Sequence, residues 1–278
     1  MSLSDVQLER YARHIILREV GGAGQAALLR SKVLVVGAGG LGSPLILYLA
    51  AAGVGTIGVA DDDAVSLSNL QRQILHRTQD VGTKKTLSAV RAAADINPGV
   101  AVVPHTERLT PANARALISR YDIVCDGSDN FSTRFLVNDA AWLTGRTLVS
   151  AAVGQFDGQL AVFKPHVRPG GLRTYPCYRC LYPEPPPPGT VPSCTEEGIL
   201  GALTGVMGSL QAMEVLKELL GIGETLAGRL MLYDGLDARV RTVTVKPDPD
   251  CALCGPNPTI RDIAGATDAA ARCEAAQP

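Results

Sequence analysis

Apolar residues in the first half of the chain fall into short β-branched runs separated by stretches of helical period. Lys32 to Gly37 contains Val33, Leu34, Val35 and Val36 in succession, an unbroken run suited to a strand buried on both faces of a parallel sheet. Thr56 to Ala60, Val100 to Pro104, Asp122 to Asp126 and Leu148 to Val153 read as four further strands. Between them the pattern predicts helices over Leu41 to about Ala52, Gly82 to Ile96 and Pro111 to Arg120, with another after Asn130. Upstream, Ser4-x-x-Gln7 has the form of a capping box and opens a helix expected to run to about Val20. Gly21, Gly22 and Gly24 end it and begin a short second helix.

Strand and helix alternate with short loops, the signature of a doubly wound parallel sheet. From Gly154 the pattern changes. Gln159 to Lys164 and Arg229 to Lys246 read as antiparallel strands, with one long helix between them from about Gly198 to Leu220. Pro183 to Pro192 holds six prolines and predicts a stiff extended connection. The expected fold class is therefore α/β: a Rossmann-like, mostly parallel sheet extended by antiparallel strands. One domain is expected over residues 1–255, with N-terminal helices in 1–30, a nucleotide-binding half in 31–153 and a second half in 154–255. A polar, Ala-rich tail, expected to be frayed, fills 256–278.

Composition narrows the function classes. The chain has 278 residues, with 26 basic and 27 acidic side chains and a net charge of -1. No global field favours nucleic acid or an anionic membrane. The apolar runs stop short of a membrane span, and Met1 to Arg10 lacks the pattern of a signal peptide. A soluble cytoplasmic protein is the expectation.

Gly37-Ala38-Gly39-Gly40-Leu41-Gly42 follows a strand and opens a helix. Missing side chains let phosphate approach the backbone, and the helix N-terminus favours the anion. Asp61 lies at the end of the next strand, where an acid can bind ribose hydroxyls. These features fit either an ATP enzyme or a dinucleotide dehydrogenase. A dehydrogenase would not need the polar segment Ser66-Leu67-Ser68-Asn69-Leu70-Gln71-Arg72-Gln73, nor Lys84-Lys85 after it, nor Arg13 on the first helix. Several cations suit a triphosphate better than a diphosphate bridge. Asp129-Asn130, at the C-terminal end of the fourth strand, lies on the ligand-binding edge of such sheets. An acid there can hold Mg2+ through oxygen; alternatively the pair caps the next helix.

Taken in order, Tyr11-x-Arg13, Gly37 to Gly42, Asp61, Ser68 to Gln73, Lys85, Asp129-Asn130, Pro176-Cys177-Tyr178-Arg179-Cys180 and Gly208 to Glu214 resemble the ThiF/MoeB/HesA family of E1-like activating enzymes. The resemblance covers about residues 5 to 255. It implies ATP-Mg2+ as cofactor and adenylylation of the C-terminal glycine of a ubiquitin-like, Gly-Gly-ended sulfur carrier of the ThiS or MoaD kind. The pathways implied are molybdopterin synthesis, thiamin synthesis and tRNA thiolation. By position, Gly37, Gly39, Gly40, Leu41 and Gly42 would hold the nucleotide. Asp61 would hold the ribose, with Asp63 nearby. Ser68, Asn69, Arg72, Gln73 and Lys85 would gather about the phosphates, and Asp129, with Asn130 beside it, would hold the magnesium. The resemblance also implies a homodimer in which Arg13 is donated across the interface. Asp61-Asp62-Asp63 departs from the usual pattern, in which the middle residue is apolar. No rhodanese-like segment follows residue 255, so a separate sulfur donor is expected. An inactive scaffold of the same fold is the rival from another class; it should tolerate loss of Arg13, Arg72, Lys85 and Asp129.

Four of the seven cysteines form Cys177-x-x-Cys180 and Cys251-x-x-Cys254. In a chain without export signals this spacing suits one structural zinc held by four thiolates. Cys194 follows the proline run and precedes Thr195-Glu196-Glu197. It reads either as a thiol that links covalently to the carrier or as a crossover-loop residue without that role. Cys125 is expected in the core and Cys273 in the tail. His14, His76, His105 and His166 show no ligand spacing and read as structural.

Overall fold

The computed structural model describes residues 3–172, 174–187 and 198–263. Its centre is an eight-stranded sheet. In chain order the strands are β1 (Lys32–Val36), β2 (Thr56–Ala60), β3 (Ala101–His105), β4 (Ile123–Asp126), β5 (Thr147–Val153), β6 (Asp157–Phe163), β7 (Arg229–Asp234) and β8 (Arg239–Thr244). They lie in the order β3-β2-β1-β4-β5-β6-β7-β8. The first five are mutually parallel and the last three join antiparallel, as the change of pattern after Gly154 predicts.

The helices are α1 (Asp5–Arg10), α2 (Ala12–Ile15), α3 (Gly21–Leu28), α4 (Gly42–Ala52), α5 (Lys85–Ile96), α6 (Ala114–Ile118), α7 (Phe131–Leu143), α8 (Tyr178–Leu181) and α9 (Gly201–Leu220). Alternate residues of β1 supply two cores. Val33 and Val35 face a cluster containing Leu45, Leu49, Ala89, Met207 and Val215, from α4, α5 and α9. Leu34 and Val36 face Ile118, Phe135 and Val137, from α6 and α7. That two-sided burial is why β1 has no polar alternation. Each fully buried aliphatic side chain contributes about 1.5–3 kcal/mol.

Several boundaries differ from expectation. The first helix is broken rather than continuous to Val20: Tyr11 leaves the helical conformation and buries its ring over Gly53. Its hydroxyl accepts a 2.8 Å hydrogen bond from the Asn97 amide. The Ser4–Gln7 capping box is present, with Gln7 N donating to Ser4 Oγ at 3.3 Å and Ser4 N to Gln7 Oε1 at 3.0 Å. Gly82 takes a positive φ of 88°, a turn that delays α5 until Lys85. Gly198, at φ 76°, similarly delays α9 until Gly201. The start of the expected tail is docked rather than frayed. The N–H groups of Thr259 and Ile260 both donate to the Ala252 carbonyl at 2.9 Å, and Ile263 is buried. Among the described residues no helix is long and apolar enough to cross a membrane.

Candidate nucleotide site and metal centre

The strand order reverses between β1 and β4. Loops leaving those two neighbours diverge, and the gap they leave is where open α/β sheets bind ligands. A cavity of about 570 Å3 lies there. Its walls bring together Gly37, Gly39, Gly40, Leu41, Asp61, Asp63, Arg72, Gln73, Lys85, Asp129 and Asn130, eleven positions taken from four separate loops and one helix end.

The glycines divide the work. Gly37 has φ 94°, a left-handed conformation that suits glycine. A Cβ on Gly42 would strike the Gly37 carbonyl, so this glycine permits the tight turn from strand to helix. Gly42 itself does not line the cavity. A Cβ on Gly39 would meet nothing closer than the Gln73 amide nitrogen, at 3.6 Å. Its missing side chain therefore leaves space open on the cavity side. Asp61 bridges two loops: Oδ2 accepts from Ala38 N at 2.7 Å and Oδ1 from Asp63 N at 2.9 Å. Burial raises its pKa, against the pull of Lys85.

Lys85 is buried and pairs with the Asp63 carboxylate at 2.7 Å. Lys84 is exposed and is tied to the Asp62 carbonyl, so geometry separates two residues that composition alone could not. Arg72 reaches the Ser68 carbonyl at 3.3 Å. Gln73 is buried on the wall, and its Oε1 has no hydrogen-bond partner. Asp129 is exposed on the rim, with the Asn130 amide at 3.5 Å. Asn130 caps α7 by accepting from Thr133 N at 2.9 Å, so the capping role foreseen for this pair falls to Asn130.

Ser68 and Asn69 do not line the cavity. They form a short turn in which Asn69 Oδ1 accepts from Ser66 N at 3.1 Å, and this turn delivers Arg72. Arg13 is exposed on α2, also outside the lining. Cys194 and Cys273 lie outside the described residues. Cys125 is fully buried in β4, and burial drives its thiol pKa upward.

Two supporting groups went unassigned by sequence reasoning. Arg134, on the first turn of α7, is buried and donates to the Ala151 carbonyl at 2.9 Å, with Asp126 3.5 Å away. Gln211, fully buried on α9, donates to the carbonyls of Asp126 and Val149 at 2.9 Å each. A polar residue amid the apolar face of α9 was the available signal. Both lock the ends of β4 and β5 under the cavity.

Behind the part of the cavity wall that Tyr178 forms, the side chains of Cys177, Cys180, Cys251 and Cys254 converge. Their sulfurs lie 3.9 Å apart for 177–180, 3.6 Å for 177–251, 3.5 Å for 180–254 and 3.6 Å for 251–254. Bonds of about 2.3 Å to one tetrahedral metal would place sulfurs about 3.8 Å apart, so the donor set fits such an ion. The thiol of Cys177, hydrogen-bonding to Cys180, is foremost in lowering the Cys180 pKa to about 6. Between the first two cysteines, Arg179 binds Asp139 through two 2.8 Å contacts, and Tyr178 N donates to Asn138 at 2.8 Å. The knuckle is thereby fastened to α7. The side chain of Tyr178 packs edge-on against Phe135 and Phe163 and forms part of the cavity wall.

Fold and site together define a doubly wound α/β protein with a cavity at its topological switch point and four converging cysteines that could hold a metal ion. The ThiF family model matches residues 11–253, and the chain belongs to the ThiF family. It is 53% identical over 257 residues to the sulfur carrier protein adenylyltransferase of Thermus thermophilus, covering 92% of this chain and 94% of that one. The SAMP-activating enzyme E1 of Haloferax volcanii is 49% identical over 255 residues, 92% of each chain. The adenylyltransferase and sulfurtransferase MOCS3 of Bos taurus is 49% identical over 263 residues, and this chain spans 56% of its length. Among solved structures, E. coli MccB with ATP superposes with a TM-score of 0.74 at 21% identity, covering 88% of this chain and 74% of that one, a likeness of fold.

Proposed function

We propose that the protein is an adenylyltransferase that uses ATP to activate the C-terminal glycine carboxylate of a ubiquitin-like sulfur carrier. The observation that carries this reading is the joining, in one cavity, of an open glycine loop with Arg72, Lys85 and Asp129. The Thermus thermophilus relative named a sulfur carrier protein adenylyltransferase shares about half of its residues over nearly its whole length.

The chemistry follows from the charges. A carrier carboxylate oxygen attacks the α-phosphorus of ATP, a new O–P bond forms, and the bond to the β-phosphate bridging oxygen breaks to release pyrophosphate. The attacking group is already an anion and needs no general base. The difficulty is bringing it against another anion, so catalysis is a matter of alignment and charge neutralisation. Lys85 and Arg72 supply fixed positive charge at the cavity wall. The glycine-loop N–H groups hold the phosphates, and Asp61 faces the ribose. Asp129 presents carboxylate oxygens suited to Mg2+, which when bound neutralises phosphate charge. The four cysteines suit zinc; with no open coordination position it acts as a structural crosslink.

Arg13 lies outside its own cavity, which supports a homodimer in which it serves the neighbouring site. Arg13→Ala and Lys85→Ala proteins should then each be inactive alone and recover activity when mixed, because a mixed dimer contains one intact site. Mixtures that stay inactive after subunit exchange would remove the shared-site reading.

ATP–pyrophosphate exchange tests the main proposal. Exchange dependent on a Gly-Gly-ended carrier and abolished in Arg72→Ala is expected. Its absence from folded, metal-loaded protein with every such carrier from the same genome would favour a carrier-binding scaffold. The carrier that supports exchange also assigns the pathway among molybdopterin, thiamin and thiolated tRNA.

A further inference from the structure

His76 lies four residues beyond Arg72 and is buried against the glycine loop. Its Nε2 is 2.9 Å from the Ala38 carbonyl oxygen and its Nδ1 is 2.9 Å from Ser88 Oγ. A carbonyl can only accept, so the ring carries its proton on Nε2. Burial lowers the ring's pKa, which keeps it neutral, so Nδ1 can only accept from the Ser88 hydroxyl, whose single proton it shares with the Asp80 carboxylate. Ser88 Oγ also lies 2.8 Å from Asp80 Oδ2. Asp80 is buried and held by Arg91 at 2.6 Å and by Arg77 N at 2.9 Å. Ser88 and Arg91 both stand on α5, the helix that opens with Lys85. A continuous polar path therefore joins the glycine loop to the helix that presents the phosphate-facing lysine.

The contact falls on a sensitive peptide. Ala38 is held on both sides, its N–H by Asp61 and its carbonyl by His76. The Ala38–Gly39 peptide is trans and planar, so its carbonyl and the Gly39 N–H point in opposite directions. Fixing the carbonyl on the imidazole thus fixes where the Gly39 N–H aims. Gly39 and Gly40 line the cavity, and among the described residues neither N–H finds an acceptor. They lie just ahead of Leu41, the N-cap of α4, where unpaired N–H groups at a helix start bind phosphate.

We propose that His76, backed by Ser88 and Asp80, is a positioning residue that sets the orientation of the glycine-loop peptide for the phosphates of the nucleotide. It touches no substrate atom and acts through Ala38. A ring that merely filled core volume would need neither a donor aimed at Ala38 nor the polar chain behind it. The proposal rests on the nucleotide reading of the cavity, and two measurements separate the fates of the two ideas.

The first is hydrogen–deuterium exchange of residues 37–42 in ligand-free protein. The second is ATP affinity, with KM for ATP compared against KM for the carrier. His76→Ala should speed exchange at 37–42 and weaken ATP binding about three- to tenfold, the scale of one hydrogen bond. KM for the carrier should stay unchanged. His76→Gln, whose amide can donate to the same carbonyl, should recover much of both losses. Unchanged exchange and ATP affinity in folded His76→Ala would overturn the proposal, as would a His76→Gln protein no better than His76→Ala. If His76→Ala does not fold, Ser88→Ala decides: it leaves the ring but removes its anchor, and unchanged exchange at 37–42 would overturn the proposal. A wild-type protein that fails to bind ATP would instead refute the nucleotide reading, while the exchange data would still decide whether His76 holds the loop.

Discussion

The nucleotide cavity and the cysteine knuckle are both binding sites built at loop ends, yet they are finished in opposite ways. The cavity is walled by backbone, cations and carboxylates and left open, about 570 Å3 in volume. The knuckle is largely closed: Cys177, Cys251 and Cys254 are all 3% exposed or less, and Cys180 is half-buried. Four sulfurs at tetrahedral spacing leave no position for substrate, whereas a half-buried Arg72 and a rim-exposed Asp129 leave several. One site leaves room for a ligand, and the other packs its donor atoms against one another. They are joined through α7, because the knuckle's Arg179 grips Asp139 while the first turn of the same helix carries Arg134 beneath the cavity.

Metal removal should break this contrast most severely. Structural zinc contributes on the order of 10 kcal/mol in small domains, and loss of a metal held by these four cysteines would release α8 and with it Tyr178 from the cavity wall. Chelation, or Cys177→Ser, should lower the melting temperature sharply and abolish exchange activity. Unchanged melting of protein verified to be metal-free would show that the knuckle is dispensable.

Next in size is the loss of a cavity cation. Lys85→Met and Arg72→Ala should each reduce exchange by about 100- to 1,000-fold, as for other groups that stabilise developing charge, with the fold intact by circular dichroism. A loss under tenfold in both would mean that charge neutralisation lies elsewhere.

The glycines sharpen the comparison within the cavity itself. Gly42→Ala should destabilise the protein by about 1–3 kcal/mol, because the added carbon meets backbone. Gly39→Ala should leave the melting temperature nearly unchanged and weaken nucleotide binding, since its added carbon enters open space. Equal effects on stability would erase the distinction between the two glycines.

The smallest effect concerns pH. Burial lowers the pKa of His76 and of His105. Each contributes fully above the unfolded pKa of about 6.5 and progressively less as pH falls below it, because the unfolded ring takes up a proton that the folded one resists. Melting temperature should therefore decline from pH 7 to pH 5.5, and less steeply in His76→Gln. Asp80 behaves as a carboxylate: burial would raise its pKa, but hydrogen bonds from Arg91, Ser88 and Arg77 lower it. Its contribution is present above about pH 4 and lost on further acidification. A slope identical in wild type and His76→Gln would remove His76 from this account.

Much of the sheet was legible because its signals are local. Val33 to Val36 has no polar residue, and a strand in that position has few alternatives. The β6, β7 and β8 segments were legible from the change of pattern after Gly154. Helix starts were less so: whether Gly82 or Lys85 begins α5 depends on a positive φ that residue type permits without requiring. The break at Tyr11 could not be read, since what removes that residue from the helix is a pocket formed by Gly53 and Asn97, which are far away in sequence. In the site, Lys85 and Asp61 were placed by motif order, while Arg134 and Gln211 gave only the weak sign of a polar residue in an apolar setting.

The sequence by itself determined the alternation of strands and helices, the glycine turn, the acids and cations at element boundaries and the paired cysteines. Each of these depends on residues adjacent in the chain, where backbone conformation and side-chain period act directly. Only the tertiary structure decided that sulfurs 74 residues apart come within 3.6 Å and that His76 reaches back 38 residues to Ala38. Such contacts depend on how the helices pack across the sheet, and no local pattern records that distance.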